Sequence, residues 1–347
     1  MLRQEFLRLG ALPLLGAVEP KTAGSNCILL MMVGGPSQLD TFDMKPDAPS
    51  DVRGPFRPIR TNVPGISISE IFPRTARQTD KFSIIRSMYH HGPATHDAGH
   101  HLMQTGRLFS DDLAHPSLGC VASHFRGESH AMLPGPIGAT GGNMPHGDGP
   151  GFLGERFAPS MMACEQAPAR YGDSRFGRNC YRALRLVESG TRFITVNMFE
   201  TVFDELTWDA HGAKPFTPMA AYRDVVGPMF DMAYASLLED LAARGLLATT
   251  MVIAMGEFGR TPRINATGGR DHWTSCYSIL AGGGPLKGGT VIGSSDAIGA
   301  EPKDRPVHPG ELAATIYKGM GIPLGTELRP GLAVVEAGVQ PIAELFA

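Results

Sequence analysis

Five short apolar runs, punctuated by Gly, Pro and Asn, set the strongest limit on what this chain can fold into: Cys27 to Val33, Phe82 to Met88, Phe193 to Met198, Thr250 to Met255 and Tyr277 to Ala281. Runs that are apolar throughout, rather than at alternate positions, belong to strands covered on both faces. Helical patterns lie between them, at Asp173 to Ser189, with Arg182, Arg185 and Glu188 on a polar face, at Pro218 to Arg244 before Gly245, and at Pro309 to Met320. Buried strands separated by helices predict an α/β fold, with a mainly parallel central sheet covered by helices on both faces. Ligands of such sheets gather at the carboxyl ends of the strands, so those places are where chemistry is to be sought.

Composition narrows the field. A chain of 347 residues suits two average domains or one large α/β domain with insertions. The 43 glycines and 28 prolines predict long ordered loops, among them a surface loop from Gly135 to Gly151, while 42% hydrophobic residues exclude disorder. With 31 basic against 34 acidic residues and no basic block, nucleic acid is excluded as a partner. Cys27, Cys120, Cys164, Cys180 and Cys276 are widely spaced and contain no C-x-x-C pair that would suggest thiolate-bound zinc. No apolar run reaches the roughly 18 residues a membrane span needs. Residues 1–24 have the outline of an export signal, with Arg3 and Arg8, an apolar stretch from Leu9 to Val18, and small residues near Ala23. A single domain over 25–347 and a periplasmic or secreted location are therefore expected.

Four segments after the apolar runs are dense in metal-capable side chains. The first run leads to GGPSQLDTFD, with Asp40 and Asp43, and the second to HHGPATHDAGHH, with five of the twelve histidines. The third leads to WDAHG and the fourth to GEFGRTPRINATGGRDHW. Asp209 and His211 lie two apart, so in extended backbone both reach the same side, as half of a cation site or as a solvated turn. Asp271 and His272 could serve one ion from a Gly-rich loop. Glu257, just past a buried strand, is costly unless paired with Arg260 or ligated. Thr95 and Asp97 can cap a helix starting near Ala98, whose free N–H groups suit an ester oxyanion. Of the clustered histidines, His96 is retained as a functional candidate, and His90, His91 and His101 read as surface or packing residues. Carboxylates and imidazoles without thiolates fit zinc, manganese or iron. One or two ions are expected, and a pair about 3.5 to 4 Å apart would clamp an in-line displacement.

Several segments resemble a bacterial family known as domain of unknown function 1501. They are R-Q-E-F-L-R-L-G, GGPSQLDTFDMKPDAP, VPGISISEIFPRTARQTDKFSIIRSM, LMQTGR, WDAHG, MGEFGRTPRIN, GGRDHW and PGELAATIYKGMGI, which together span nearly the whole chain. The first is similar to a twin-arginine signal, with Gln4 in place of the second arginine. The family is grouped with the alkaline phosphatase and sulfatase superfamily, so the resemblance implies that fold and a metal-dependent hydrolase ancestry. Carried onto this chain, the superfamily pattern implies metal ligands at Asp209, His211, Glu257 and His272. HDAGHHLMQTGR resembles the sulfatase signature at Thr105, Gly106 and Arg107, but the cysteine position falls on His96, so no formylglycine can form. The aspartates usual after the first strand are Gly34 and Gly35 here, which leaves Asp40 as the nearest substitute.

These readings combine into an exported hydrolase of sulfate or phosphate esters, possessing one or two divalent ions, zinc or manganese, on Asp40, Asp209, His211, Glu257, Asp271 and His272. Thr95 or a metal-bound hydroxide would attack the ester beside His96, and Arg260 with the helix N-terminus would stabilise the developing charge. The alternative expectation is a catalytically inactive surface protein of the same fold that binds anionic glycans or a partner protein.

Overall fold

A computed structural model describes residues 24–346, apart from 128–129, 139, 162–165 and 204. The expected export signal, up to residue 23, and Cys164 lie outside the described residues. Eight strands form the central sheet: β1 (Asn26–Met31), β2 (Phe82–Met88), β3 (His130–Leu133), β4 (Ser160–Met161), β5 (Phe193–Asn197), β6 (Thr250–Met255), β7 (Tyr277–Gly283) and β8 (Val291–Ile292). Their spatial order is β8-β2-β7-β6-β1-β5-β3-β4, with Met31 of β1 in register with Met255 on one side and Asn197 on the other. All five apolar runs are strands. The outer strands β3, β4 and β8 are two to four residues long, too short to leave an apolar signature.

Every residue of β1, β5 and β6 is buried. Successive strand side chains point to opposite faces, so both faces of the sheet are covered. Seven strands run the same way, and only β7 runs against its neighbours β6 and β2. The cause is the connection: a parallel return needs a crossover, usually a helix, and residues 256–276 between β6 and β7 contain none.

The principal helices are α1 (His96–Thr105), α2 (Leu118–Arg126), α3 (Arg175–Glu188), α4 (Gly227–Ala243) and α5 (Pro309–Gly319). Ser174 caps α3 by accepting from Gly177 N, and His308 with Glu311 forms a capping box before Pro309. The expected helix from Pro218 to Arg244 is present as one run from residue 220 to 243, with a π turn at Tyr222–Val226 leading into α4. Pro228 has no N–H to donate into a continuous α-helical ladder. The expected surface loop from Gly135 to Gly151 is pinned to α1: Met144 N donates to Asp97 Oδ2 at 2.8 Å and Gln104 Nε2 to the His146 carbonyl at 3.0 Å. A side chain at Gly142 would collide with the Asp97 carboxylate, so the backbone needs glycine there to come this close. No described helix is long and apolar enough to cross a membrane.

Candidate metal centre

Parallel strands align their carboxyl ends, and the reversed β7 brings its amino end to the same rim. Gly34 follows β1 there, His96 and His100 follow β2 on α1, Asp209 and His211 follow β5, and Glu257 follows β6. His272 arrives ahead of β7 from a small ladder in which it faces Arg260. Residues more than a hundred positions apart thus meet around one ring, that of His96.

His96 Nδ1 lies 2.6 Å from Glu257 Oε1, and its Nε2 lies 3.4 Å from Asp209 Oδ2. His100, four residues later on α1 and therefore on the same face, places Nε2 3.4 Å from Glu257 Oε1. Gly34 N also donates to Glu257 Oε1, at 2.8 Å. Asp209 Oδ1 accepts from Arg260 at 2.6 Å and lies 3.0 Å from His211 Nε2 and 3.3 Å from His272 Nε2. A carbonyl oxygen only accepts, so His272 donates its Nδ1 proton to Ala94 O at 2.8 Å. His211 likewise donates Nδ1–H to Asp271 at 2.9 Å. In the neutral rings this leaves two Nε2 lone pairs 3.1 Å apart beside an aspartate oxygen; Arg260 Nη1, 3.4 Å from His211 Nε2, answers one of them, and that of His272 is left facing Asp209 Oδ1.

The protonation states agree. Burial pushes the Asp209 carboxyl upward, but Arg260 and the surrounding imidazoles hold it well below the usual carboxylate range. Burial also opposes ionisation of Glu257, yet His100 and His96 bring it down to about 2. Burial lowers His100 to about 4 and depresses His272. His96 is raised: burial works against its charged form, and the carboxylates of Asp209 and Glu257 outweigh that.

Asp209 Oδ2, Glu257 Oε2, His96 Nε2 and both ring nitrogens of His100 are buried without a hydrogen-bond partner among the described residues. Buried polar atoms are almost always satisfied, and a bare carboxylate oxygen is costly. Two overlapping triads, His96 with Asp209 and His272, and His96 with His100 and Glu257, each hold their donor atoms within 4.8 Å of one another. Nitrogen and oxygen donors of this kind suit a divalent zinc, manganese or iron ion.

The other sequence candidates fall into place around this cluster. Asp271 is half-exposed behind His211, which it orients, as carboxylates commonly do for ligating histidines. Asp40 stands apart: Arg270 donates to it at 2.7 Å and the Ser37 hydroxyl at 2.6 Å, and no histidine takes part. Arg260 pairs with Asp209 rather than Glu257, and its other donors go to the carbonyls of Gly34, Gly35 and Arg270 and, from Nη1 at 3.4 Å, to His211 Nε2. This explains the two glycines after β1. A side chain at Gly34 would strike the backbone of Trp208 and Asp209, and the carbonyls there serve Arg260. Thr95 is the exposed N-cap position of α1 and makes no capping bond; it stands beside the Asp97 carboxylate and helps hold it below its ordinary range. His100 was not selected from the sequence, although the H-x-x-x-H spacing of His96 and His100 was a readable sign of one helix face. A cavity of about 700 Å³ lined by Leu206, Lys214, Pro215 and Phe216 adjoins the cluster, with the Phe216 ring packed on His211.

A family model described as protein of unknown function (DUF1501) matches residues 24–173 and 159–333. The chain belongs to this family. No curated protein matches this DUF1501 member. Solved structures similar to it include the C-terminal periplasmic domain of EcEptC from Escherichia coli, at 12% identity over 90% of this chain and 87% of that one, with a TM-score of 0.49. A protein in the alkaline phosphatase superfamily from Vibrio parahaemolyticus has 9% identity over 87% and 68% of the two chains, with a TM-score of 0.45. The PsFucS1 sulfatase from Pseudoalteromonas sp. has 12% identity over 87% and 68%, with a TM-score of 0.43.

Proposed function

We propose that this protein is an exported, metal-dependent hydrolase of sulfate or phosphate esters, glycan esters included, with zinc or manganese held by Asp209, His211, His272, His96, Glu257 and His100. The observation that carries this reading is the set of buried, unpartnered carboxylate and imidazole atoms converging at the carboxyl rim of the sheet. A bound divalent ion supplies Lewis-acid polarisation of the ester oxygens. The residues of the chain do the rest. Asp271 and the Ala94 carbonyl fix the rings of His211 and His272 with Nε2 turned inward. Arg260 keeps Asp209 ionised from behind rather than meeting the ester. Asp97, beside Thr95, is placed to pass the hydroxyl proton to the departing ester oxygen as the Thr95 oxygen bonds to sulfur or phosphorus; water then cleaves the Thr95 ester, releasing sulfate or phosphate and restoring the hydroxyl. The organic part of the ester lies in the cavity beside Phe216. Asp40 has no part in this scheme.

The test is metal content followed by turnover of an aryl sulfate and an aryl phosphate. Metal-dependent cleavage of either, lost in His272→Ala and in Thr95→Ala, supports the proposal; a metal-free protein inert toward both sinks it. The commitment of every Arg260 nitrogen inside the protein favours a second reading, an inactive surface protein that binds anionic glycans or a partner protein. Glycan or partner binding unchanged in His272→Ala, with no turnover in the unaltered chain, would select that reading.

A further inference from the structure

The two triads share one residue and use opposite sides of it. His96 Nε2 faces Asp209 Oδ2 at 3.4 Å, on the side where His272 and His211 converge. His96 Nδ1 faces Glu257 Oε1 at 2.6 Å, on the side of His100. Neither side is complete without the ring. The outer side borders solvent, since His211 and His272 are 22% and 19% exposed, whereas His100 and Glu257 on the inner side are 0% exposed. Each side also has its own unpartnered carboxylate oxygen, Asp209 Oδ2 outside and Glu257 Oε2 inside. A doubly protonated His96 ring could donate to the one oxygen it faces on each side, Asp209 Oδ2 and Glu257 Oε1, and would still leave Glu257 Oε2 and both nitrogens of His100 unanswered.

We infer that His96 bridges two divalent cations, an outer one on Nε2 with Asp209 and His272, and an inner one on Nδ1 with Glu257 and His100. Its ring gives up both N–H protons to solvent and binds as an imidazolate. The inference rests on the metal-centre half of the proposed function and not on hydrolysis. Ions on opposite nitrogens of one ring stand farther apart than the about 3.5 to 4 Å of pairs that clamp both oxygens of a displacement. Only the outer ion can then meet an ester. The inner one is sealed in protein and acts by fixing α1 and charging the shared ring.

Equilibrium dialysis against zinc, with elemental analysis, reads the arrangement without substrate. About two ions per chain are expected in the unaltered protein and about one in His272→Ala and in His100→Ala. His96→Ala loses both ions at a free zinc level where the other variants keep one. Near-ultraviolet circular dichroism in chelator checks that each variant is folded, and His96→Gln replaces His96→Ala should the latter fail. Manganese-loaded unaltered protein gives a readout that needs no variant, an exchange-coupled paramagnetic resonance spectrum, and in His100→Ala this becomes the spectrum of an isolated ion. One ion in the unaltered chain, an ion retained by the His96 variants as by the others, or uncoupled manganese overturns the bridge. A protein that holds coupled ions yet cleaves no ester loses the hydrolase reading alone, and one that cleaves esters with a single ion loses the bridge alone.

Discussion

Arg270 holds Asp40 at 2.7 Å and Arg260 holds Asp209 at 2.6 Å, with all four side chains fully buried on the same rim of the sheet. In both pairs the remaining guanidinium donors go mostly to backbone carbonyls, Val52, Thr261 and Pro262 around Arg270, and Gly34, Gly35 and Arg270 around Arg260, whose Nη1 also lies 3.4 Å from His211 Nε2. The difference is what lies on the far side of the aspartate. Asp40 has the Ser37 hydroxyl and a buried Oδ1 without a hydrogen-bond partner among the described residues, whereas Asp209 meets three imidazoles, two of them turned so that their lone pairs converge on it. A buried ion pair is a structural device in one place and half of a binding site in the other, and the histidines decide which.

Removing either arginine gives the largest effect. Arg270→Ala and Arg260→Ala each leave a buried carboxylate uncompensated and should cost about 3 to 5 kcal/mol in denaturant unfolding. Zinc should restore much of the loss in Arg260→Ala, where an ion can replace the guanidinium charge at Asp209, and none in Arg270→Ala. Equal response of the two variants to zinc would erase the distinction drawn between the pairs. Acid comes next. In chelator, Glu257 titrates at about 2 in the folded chain against 4.5 when exposed, so the stability it contributes is fully present above pH 4.5 and disappears as pH falls toward 2. A depression of this size corresponds to about 3 kcal/mol. Unfolding curves of the unaltered protein and Glu257→Gln should therefore converge between these pH values, and parallel curves would deny the coupling of Glu257 to the imidazoles.

Asp271→Asn tests orientation rather than charge, because it weakens the bond that turns His211 Nε2 inward. It should lower zinc affinity about 10- to 100-fold, as loss of outer partners of ligating histidines does, while Asp40→Asn leaves affinity unchanged. A loss of affinity in Asp40→Asn would move that aspartate into the centre. The smallest effect belongs to Thr95→Ala. Its hydroxyl makes no capping bond to α1 and is exposed, so thermal stability should change by less than about 0.5 kcal/mol.

Much of this was legible in the chain. The runs at Phe82 and Thr250 are strands with the boundaries their apolar residues mark, and α3 and α5 begin within about two residues of the starts their patterns give. The direction of β7 was not legible, because an apolar run has no polarity and only the missing crossover helix reverses it. Nor was the partner of Arg260. Glu257 stands three residues before it, but Asp209, fifty-one residues earlier, takes its guanidinium. The H-x-x-x-H pair was readable in principle, but α1 begins at His96 rather than Ala98, and that places His96 on the helix face that His100 shares.

By itself, the order of residues determined the layered architecture and which stretches carry metal-capable side chains, since burial of apolar runs and helical periodicity are local properties of the chain. Tertiary structure alone decided that Arg260 pairs with Asp209 and not with Glu257, and which carboxylates meet imidazoles as well. That choice depends on long-range packing: on Gly34 admitting Arg260 beside Asp209, and on the reversed β7 delivering His272 to the rim where His96 stands.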